Sequence, residues 1–118
     1  MKLYKDFVIK TPKRIQFKDT KALDRIAEAQ TYLASKVDGV LPCYRVGLQL
    51  FMPRAPGVDA GKVMKKWPHI KKKRDQVVEA IKRHGYLLTD VGSKNVIYDE
   101  ENDKVYLIDF HQVKKVGD

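Results

Sequence analysis

Two strand-like segments separated by a short polar run constrain the fold of this chain more than any other feature. Residues 95–98 (Asn-Val-Ile-Tyr) and 104–108 (Lys-Val-Tyr-Leu-Ile) are mostly β-branched, aromatic or aliphatic, and residues 99–103 (Asp-Glu-Glu-Asn-Asp) are all polar. Strand formers on both sides of a turn-forming segment are typical of a β-hairpin with a longer loop. The sequence therefore predicts two consecutive strands with no helix between them.

Two helices are predicted upstream of this hairpin. The first begins at Asp19 or Thr20, either of which can cap a helix, and ends before Asp38-Gly39. Residues of one face recur in it every three or four positions: Leu23, Ile26, Ala27, Gln30, Leu33, Ala34 and Val37. The second runs from about Trp67 to His84, with a proline in its first turn and a glycine just beyond its end.

The rest of the chain predicts further strands. Residues 4–10 form one strand, which Pro12 ends, and residues 44–52 form a strand region that Gly47 divides in two. A short helix is predicted to start near Val58. The order β, α, β(β), α, α, β, β does not alternate strictly, which indicates an α+β fold, and 118 residues correspond to one domain, residues 1–118.

Composition limits the classes of function. The 24 Lys and Arg residues exceed the 15 Asp and Glu residues, giving a formal charge of +9 that favours polyanionic ligands such as nucleotides, nucleic acid or an acidic protein. The sequence predicts neither a membrane span nor a signal peptide, so we expect no membrane partner. The one cysteine, Cys43, cannot form an internal disulfide, which fits a cytoplasmic protein.

Three polar residues around the hairpin have a spacing that suits metal-dependent chemistry. Asp90 is followed five positions later by Asn95, which begins the first strand, and the second strand runs into Ile108-Asp109-Phe110. This arrangement resembles the catalytic loop and the metal-binding motif of the protein-kinase superfamily. The resemblance implies that Asp90 is the catalytic base and that Asn95 and Asp109 bind Mg²⁺.

Three upstream residues take roles from the same resemblance. Lys10 ends an apolar strand, as does the lysine that holds the ATP phosphates in kinases. Glu28 lies on the next helix, where the family places the ion-pair partner of that lysine. The strand that reaches Met52 corresponds to the interlobe hinge, whose main-chain groups contact adenine.

The ending Ile108-Asp109-Phe110-His111-Gln112-Val113 is most similar to that of RIO-type atypical kinases. The resemblance implies a protein-kinase-like α+β fold, with a reduced N-lobe of one sheet and one helix in residues 1–52. Residues 53–118 would then hold the hinge, a helix and the catalytic hairpin. Neither a glycine-rich loop before Lys10 nor a C-terminal helical subdomain after Asp109 is expected, so the resemblance is to a minimal or truncated member.

Three functions remain open from the sequence. The first is binding of ATP and Mg²⁺, with transfer of the γ-phosphoryl group to a protein hydroxyl. The second is a pseudokinase-like module that acts by binding a protein partner, or by self-association. The third is a basic module that binds nucleic acid through the run Lys71-Lys72-Lys73-Arg74, although such a run is more often the solvated face of a helix.

Overall fold

The computed structural model describes residues 2–11 and 20–116. Within these residues the chain forms a small α+β fold of two α-helices and three small antiparallel sheets. Pro12 and Asp19, which the sequence placed at a strand end and a helix cap, lie outside the described residues. No helix in the described ranges is both long and apolar enough to cross a membrane.

The largest sheet has four strands in the order β1-β2-β4-β3. These strands are β1 (Lys2–Leu3), β2 (Phe7–Lys10), β3 (Tyr44–Val46) and β4 (Gln49–Pro53). The predicted strand over residues 4–10 is therefore too long, because Tyr4 to Asp6 form the turn that joins β1 to β2; the Tyr4 amide donates to the Phe7 carbonyl at 2.9 Å. The predicted division of residues 44–52 at Gly47 is confirmed, and Gly47 has a positive φ of 60°.

Helix α1 (Thr20–Lys36) packs its apolar face against this sheet. Leu23, Ile26, Ala27, Gln30 and Leu33 are buried, as the three-and-four spacing predicted. One core cluster continues from these side chains through β2 and β4 to Ile70 and Ile81 of the second helix, α2 (Trp67–Arg83), and on to Phe110. Both halves of the chain thus share one apolar core.

After the four-stranded sheet the chain enters a three-stranded sheet of order β5-β7-β8. Its strands are β5 (Val58–Asp59), β7 (Val96–Asp99) and β8 (Lys104–Leu107), and the last two form the predicted hairpin. The helix predicted near Val58 is wrong at that position, because Val58 and Asp59 pair with Tyr98 and Ile97. A 3-10 turn over Ala60–Lys62 follows instead, and the side chain of Asp59 caps it by accepting from the Gly61 amide.

Helix α2 (Trp67–Arg83) begins after a second 3-10 turn (Met64–Lys66) and packs against β8. A polar cluster ties it to the hairpin turn: Asp103 Oδ1 accepts from the Tyr98 hydroxyl and pairs with His69 Nε2, both at 2.7 Å. Lys73 Nζ lies 3.1 Å from Asp103 Oδ2. The hydrogen bonds from His69 and Tyr98 hold the pKa of Asp103 well below its usual range, so this carboxylate stays charged as it links helix to hairpin.

Two short strands complete the fold. Strand β6 (Tyr86–Leu87) follows α2, and β9 (Lys114–Lys115) pairs with it in an antiparallel ladder. Between them the chain makes a 3-10 turn at Ser93–Asn95 and the β7–β8 hairpin. The Val116 amide donates to the Gly85 carbonyl at 2.8 Å and extends this contact.

We expect Gly57→Ala to destabilise the protein by about 3 kcal/mol, through strain at a positive φ and steric overlap. Gly57 has a φ of 115°, and a Cβ built there would lie 2.1 Å from the Tyr98 carbonyl oxygen. Gly47→Ala is the matched control: its φ of 60° is also positive, but nothing lies within 4 Å of the added Cβ. It should cost only about 1 kcal/mol in urea unfolding, and equal losses would contradict the close approach of Gly57 to β7.

Candidate functional site

Lys10 lies at the end of β2 and extends its side chain from the sheet toward the β7–β8 hairpin. Its Nζ donates to the Ile108 carbonyl at 2.8 Å and lies 3.9 Å from Asp109 Oδ1. Burial lowers the pKa of Lys10, while the negative charge of Asp109 opposes that shift. The predicted lysine and the predicted metal-binding aspartate are therefore brought together, although they lie near opposite ends of the chain.

Asp109 follows β8 directly and is held by the residue two positions on. Its Oδ1 accepts from the His111 amide at 3.1 Å and lies 2.5 Å from His111 Nδ1. Burial opposes ionisation of Asp109, but the bonds from His111 and the charge of Lys10 outweigh it and lower the pKa to about 2. The carboxylate is thus fixed in orientation and negatively charged at neutral pH.

Asn95 ends the 3-10 turn that leads into β7. Its backbone carbonyl accepts from the Ile108 amide at 3.1 Å, which places Asn95 beside the residue before Asp109. Its side-chain Nδ2 donates to the carbonyl of Asp90 at 3.3 Å. This bond ties the two ends of the segment 90–95 together and orients the amide group, while the Asp90 side chain is exposed to solvent.

A cavity of about 260 Å³ lies between the four-stranded sheet and the hairpin. Val8, Met52 and Leu107 form apolar parts of its wall, and Lys10 and Ile108 also line it. The chain from Met52 to Ala55 forms one side. Strand β3 pairs with β4 only as far as Phe51, so the main chain beyond that residue is not covered by β3. The predicted hinge segment therefore borders the cavity that Lys10 enters.

Glu28 is not brought to this site. Its side chain is exposed on α1, and none of the ion pairs among the described residues joins it to Lys10, whose carboxylate neighbour is Asp109. Gln30 lines the cavity instead; its Nε2 donates to the Leu41 carbonyl at 2.9 Å. Two residues correspond to about 200° of rotation around a helix, so Glu28 and Gln30 cannot occupy the same face.

Gln30 also contacts Met52, with its Nε2 3.9 Å from the Met52 sulfur. It was assigned only to the buried face of α1 by the sequence, and no functional role was predicted for it. A polar side chain within an otherwise apolar helical face was the signal that could have singled it out. The contact fixes Met52 against α1 and so shapes the cavity wall.

The donor set at Asn95 and Asp109 fits Mg²⁺. This ion prefers oxygen ligands and commonly binds one or two protein oxygens, with phosphate oxygens and water completing the octahedron. Asp109 supplies an ionised carboxylate, and the hydrogen bond from Asn95 Nδ2 leaves the amide oxygen as the free donor atom. In residues 2–11 and 20–116 there is no group of three or more His, Cys, Asp or Glu side chains suited to a metal, so an all-protein cage is not formed there.

Cys43 is buried near this site. Only 2% of the residue is exposed, and its backbone N–H donates to Thr31 Oγ1 at 3.1 Å. Burial raises the thiol pKa to about 11. A thiol at neutral pH that is buried in apolar surroundings is a poor nucleophile. Cys43 is therefore best described as a core residue.

Two residues of the basic run on α2, residues 71–74, make contacts within the fold. Arg74 donates to the Val91 carbonyl at 2.8 Å, pairs with Asp75 and lies 5.3 Å from the centre of the Trp67 ring. Lys73 pairs with Asp103. Only Lys71 and Lys72 of the run are left without a partner among the described residues, which reduces its value as a nucleic-acid surface.

No protein-family model matches the chain, and no curated protein matches it. The site is therefore defined by its own residues. Lys10 lines the cavity and pairs with Asp109, and Asn95 is bonded to the Asp90 main chain. Asn95 and Asp109 are not themselves part of the cavity lining, which reaches their neighbours Lys94 and Ile108.

Proposed function

We propose that the protein is a minimal member of the protein-kinase-like superfamily, most similar to RIO-type atypical kinases, that binds ATP with Mg²⁺. The single observation that supports this most is the ion pair between Lys10 of β2 and Asp109 at the end of the hairpin. The family resemblance assigns Lys10 to the phosphates and Asp109 to the metal, two roles that require these side chains to lie close together. If the strand lysine and the hairpin aspartate were paired only by chance, there would be no reason for Asn95 to lie beside them.

Each residue has a distinct role in this proposal. Lys10 neutralises and orients the phosphates, the main chain from Met52 onward hydrogen-bonds the adenine, and Asn95 and Asp109 hold the metal. Bound Mg²⁺ supplies charge that neutralises the phosphate oxygens. The His111 contacts keep Asp109 ionised and in one orientation.

Phosphoryl transfer would use Asp90. Its carboxylate accepts the proton of an attacking protein hydroxyl, the hydroxyl oxygen forms a bond to the γ-phosphorus, and the bond from that phosphorus to the β–γ bridging oxygen breaks to release ADP. Asp90 is exposed, so an acceptor can approach it from solvent. The bond from Asn95 to its carbonyl holds this residue at a fixed distance from the metal-binding amide.

The second candidate is a pseudokinase-like module that keeps the site but acts by binding a protein. Exposed aromatic rings on the four-stranded sheet favour it: Tyr4 and Phe7 stack with centroids 4.6 Å apart, and Tyr44 is 58% exposed. Exposed aromatic residues are enriched in protein interfaces. This candidate predicts that the protein binds a nucleotide without transferring a phosphoryl group, or that it neither binds a nucleotide nor transfers a phosphoryl group.

The experiment that tests the main proposal is a thermal melt with ATP, with Mg²⁺ and with both. At about 100 times its Kd, a ligand stabilises the native state by roughly 2.7 kcal/mol, which raises the Tm of a domain this small by several degrees. We expect this shift only when ATP and Mg²⁺ are present together at millimolar concentration. A Tm that stays constant would overturn the proposal and direct attention to protein partners.

A further inference from the structure

Two lysines lie on neighbouring 3-10 turns at the same cavity. Lys62 ends the turn Ala60–Lys62, and Lys94 is the middle residue of the turn Ser93–Asn95. The turns are adjacent, since a Cβ built on Gly61 would lie 3.8 Å from the Ser93 hydroxyl. Both lysines line the cavity that Lys10 enters from the opposite sheet, and both are exposed.

Neither lysine has a hydrogen-bond or ion-pair partner among the described residues. Other lysines of the chain do: Lys66 pairs with Glu100 and Lys104 with Asp38. The ammonium groups of Lys62 and Lys94 are thus available for a ligand. Because the lysine side chain is long and flexible, its charge can follow a phosphate group that moves.

The charges around the cavity are unbalanced. Its described lining includes four basic side chains, which are Lys10, Arg54, Lys62 and Lys94. Asp59 is the one acidic side chain in that lining, and its Oδ1 is already used to cap the turn by accepting from the Gly61 amide at 2.7 Å. The cavity thus combines an apolar wall at Val8, Met52 and Leu107 with several basic side chains. This combination suits a ligand with a flat apolar part and a polyanionic tail.

We propose that Lys62 and Lys94 bind the terminal phosphates of a nucleoside di- or triphosphate and make the cavity selective for phosphate number. This inference rests on the proposed nucleotide site. Lys94 directly precedes the metal-binding Asn95, so its ammonium group approaches the phosphates on the side of the hairpin, while Lys10 approaches them from the sheet. The two lysines add charge beyond Lys10, and their effect grows with the number of phosphates.

The test is calorimetric titration with ATP, ADP and AMP at constant ionic strength, with and without Mg²⁺. The variants are Lys62→Gln, Lys94→Gln and the double variant. Hydrogen bonds to charged groups contribute about 1.5–3 kcal/mol, so each single change should weaken ATP binding about tenfold or more, ADP binding less, and AMP binding less than about twofold. Lys65→Gln is the matched control, because Lys65 is exposed on the neighbouring turn but does not line the cavity.

The outcomes separate the two proposals. If the wild-type protein binds ATP and the Lys62 and Lys94 variants bind it equally well, the lysine assignment is overturned while the nucleotide site stands. If the wild-type protein binds no nucleotide, both fall. If the variants lose as much affinity for AMP as for ATP, or if Lys65→Gln weakens ATP binding equally, the lysines act through a general charge effect. Either result also overturns the assignment. Unchanged melting temperatures of the variants, expected for exposed lysines, verify that they are folded.

Discussion

The Asp109→Ala protein should show no Mg²⁺-dependent stabilisation by ATP in a thermal melt. The change removes the one carboxylate of the proposed metal pair and leaves Lys10 without its charged neighbour. Asn95 alone offers only a neutral oxygen, whereas Mg²⁺ sites of this kind usually combine phosphate and water with one or two protein carboxylates. The roughly 2.7 kcal/mol that ATP and Mg²⁺ contribute to the wild-type protein at about 100 times Kd should therefore be absent.

Two further variants make this result interpretable. Asp109→Asn keeps the shape of the side chain but not its charge, so it should lose the shift even if Asp109→Ala fails to fold. Asp90→Asn should keep the full shift and lose any phosphoryl transfer, because Asp90 is exposed and, in the proposed mechanism, acts only on the acceptor hydroxyl. Persistence of the Mg²⁺-dependent shift in both Asp109 variants would refute the metal assignment.

Phe110→Ala should lower the free energy of unfolding by about 3–5 kcal/mol, the usual cost of truncating a buried aromatic residue. Phe110 is 1% exposed and is the largest of the fully buried side chains. Such a loss is a large fraction of the roughly 5–15 kcal/mol that stabilises a typical domain, and the Tm should fall by about 10–20 °C. Urea unfolding, with its midpoint and slope compared between the two proteins, measures this loss.

Val116→Ala serves as the control for this prediction. Val116 is 57% exposed, so its truncation should change stability by less than about 0.5 kcal/mol. A loss below 1 kcal/mol for Phe110→Ala would mean that its ring does not anchor the segment after Asp109. Because Phe110 directly follows Asp109, a folded Phe110→Ala protein should also bind ATP and Mg²⁺ more weakly.

The helices and the hairpin could be predicted from the sequence because local signals define them. The buried face of α1 follows from apolar spacing, the ends of α2 from Pro68 and Gly85, and the hairpin from its five polar turn residues. The resemblance assigns Lys10 and Asp109 to one site but pairs Lys10 with Glu28, so the direct contact between Lys10 and Asp109 is a finding of the structure. The pair forms because β2 and the hairpin pack on the same core.

Other features depend on tertiary contacts that no local pattern contains. Strands β1, β5, β6 and β9 have two residues each, too few for a periodic signal, and exist because a partner strand lies beside them. The prediction of Glu28 as the ion-pair partner of Lys10 used only its position along the chain. Which side chain of α1 enters the cavity is instead decided by the rotation of the helix against the sheet. That rotation is set by Leu23, Leu33 and the rest of the buried face, and it selects Gln30.

The ladder between β6 and β9 turns the segment from Leu88 to Val113 into a closed loop with its two ends pinned side by side. All three polar groups of the hairpin motif lie inside that loop, while Lys10 reaches it from outside. Separation of the two short strands would release residues 88–92 and 111–113 together, as one opening unit, while the β7–β8 ladder and the bond from the Ile108 amide to the Asn95 carbonyl would still hold the hairpin. The two residues on each side of this ladder, none of which has a role in the candidate site, thus hold together the two segments that flank the polar groups of that site.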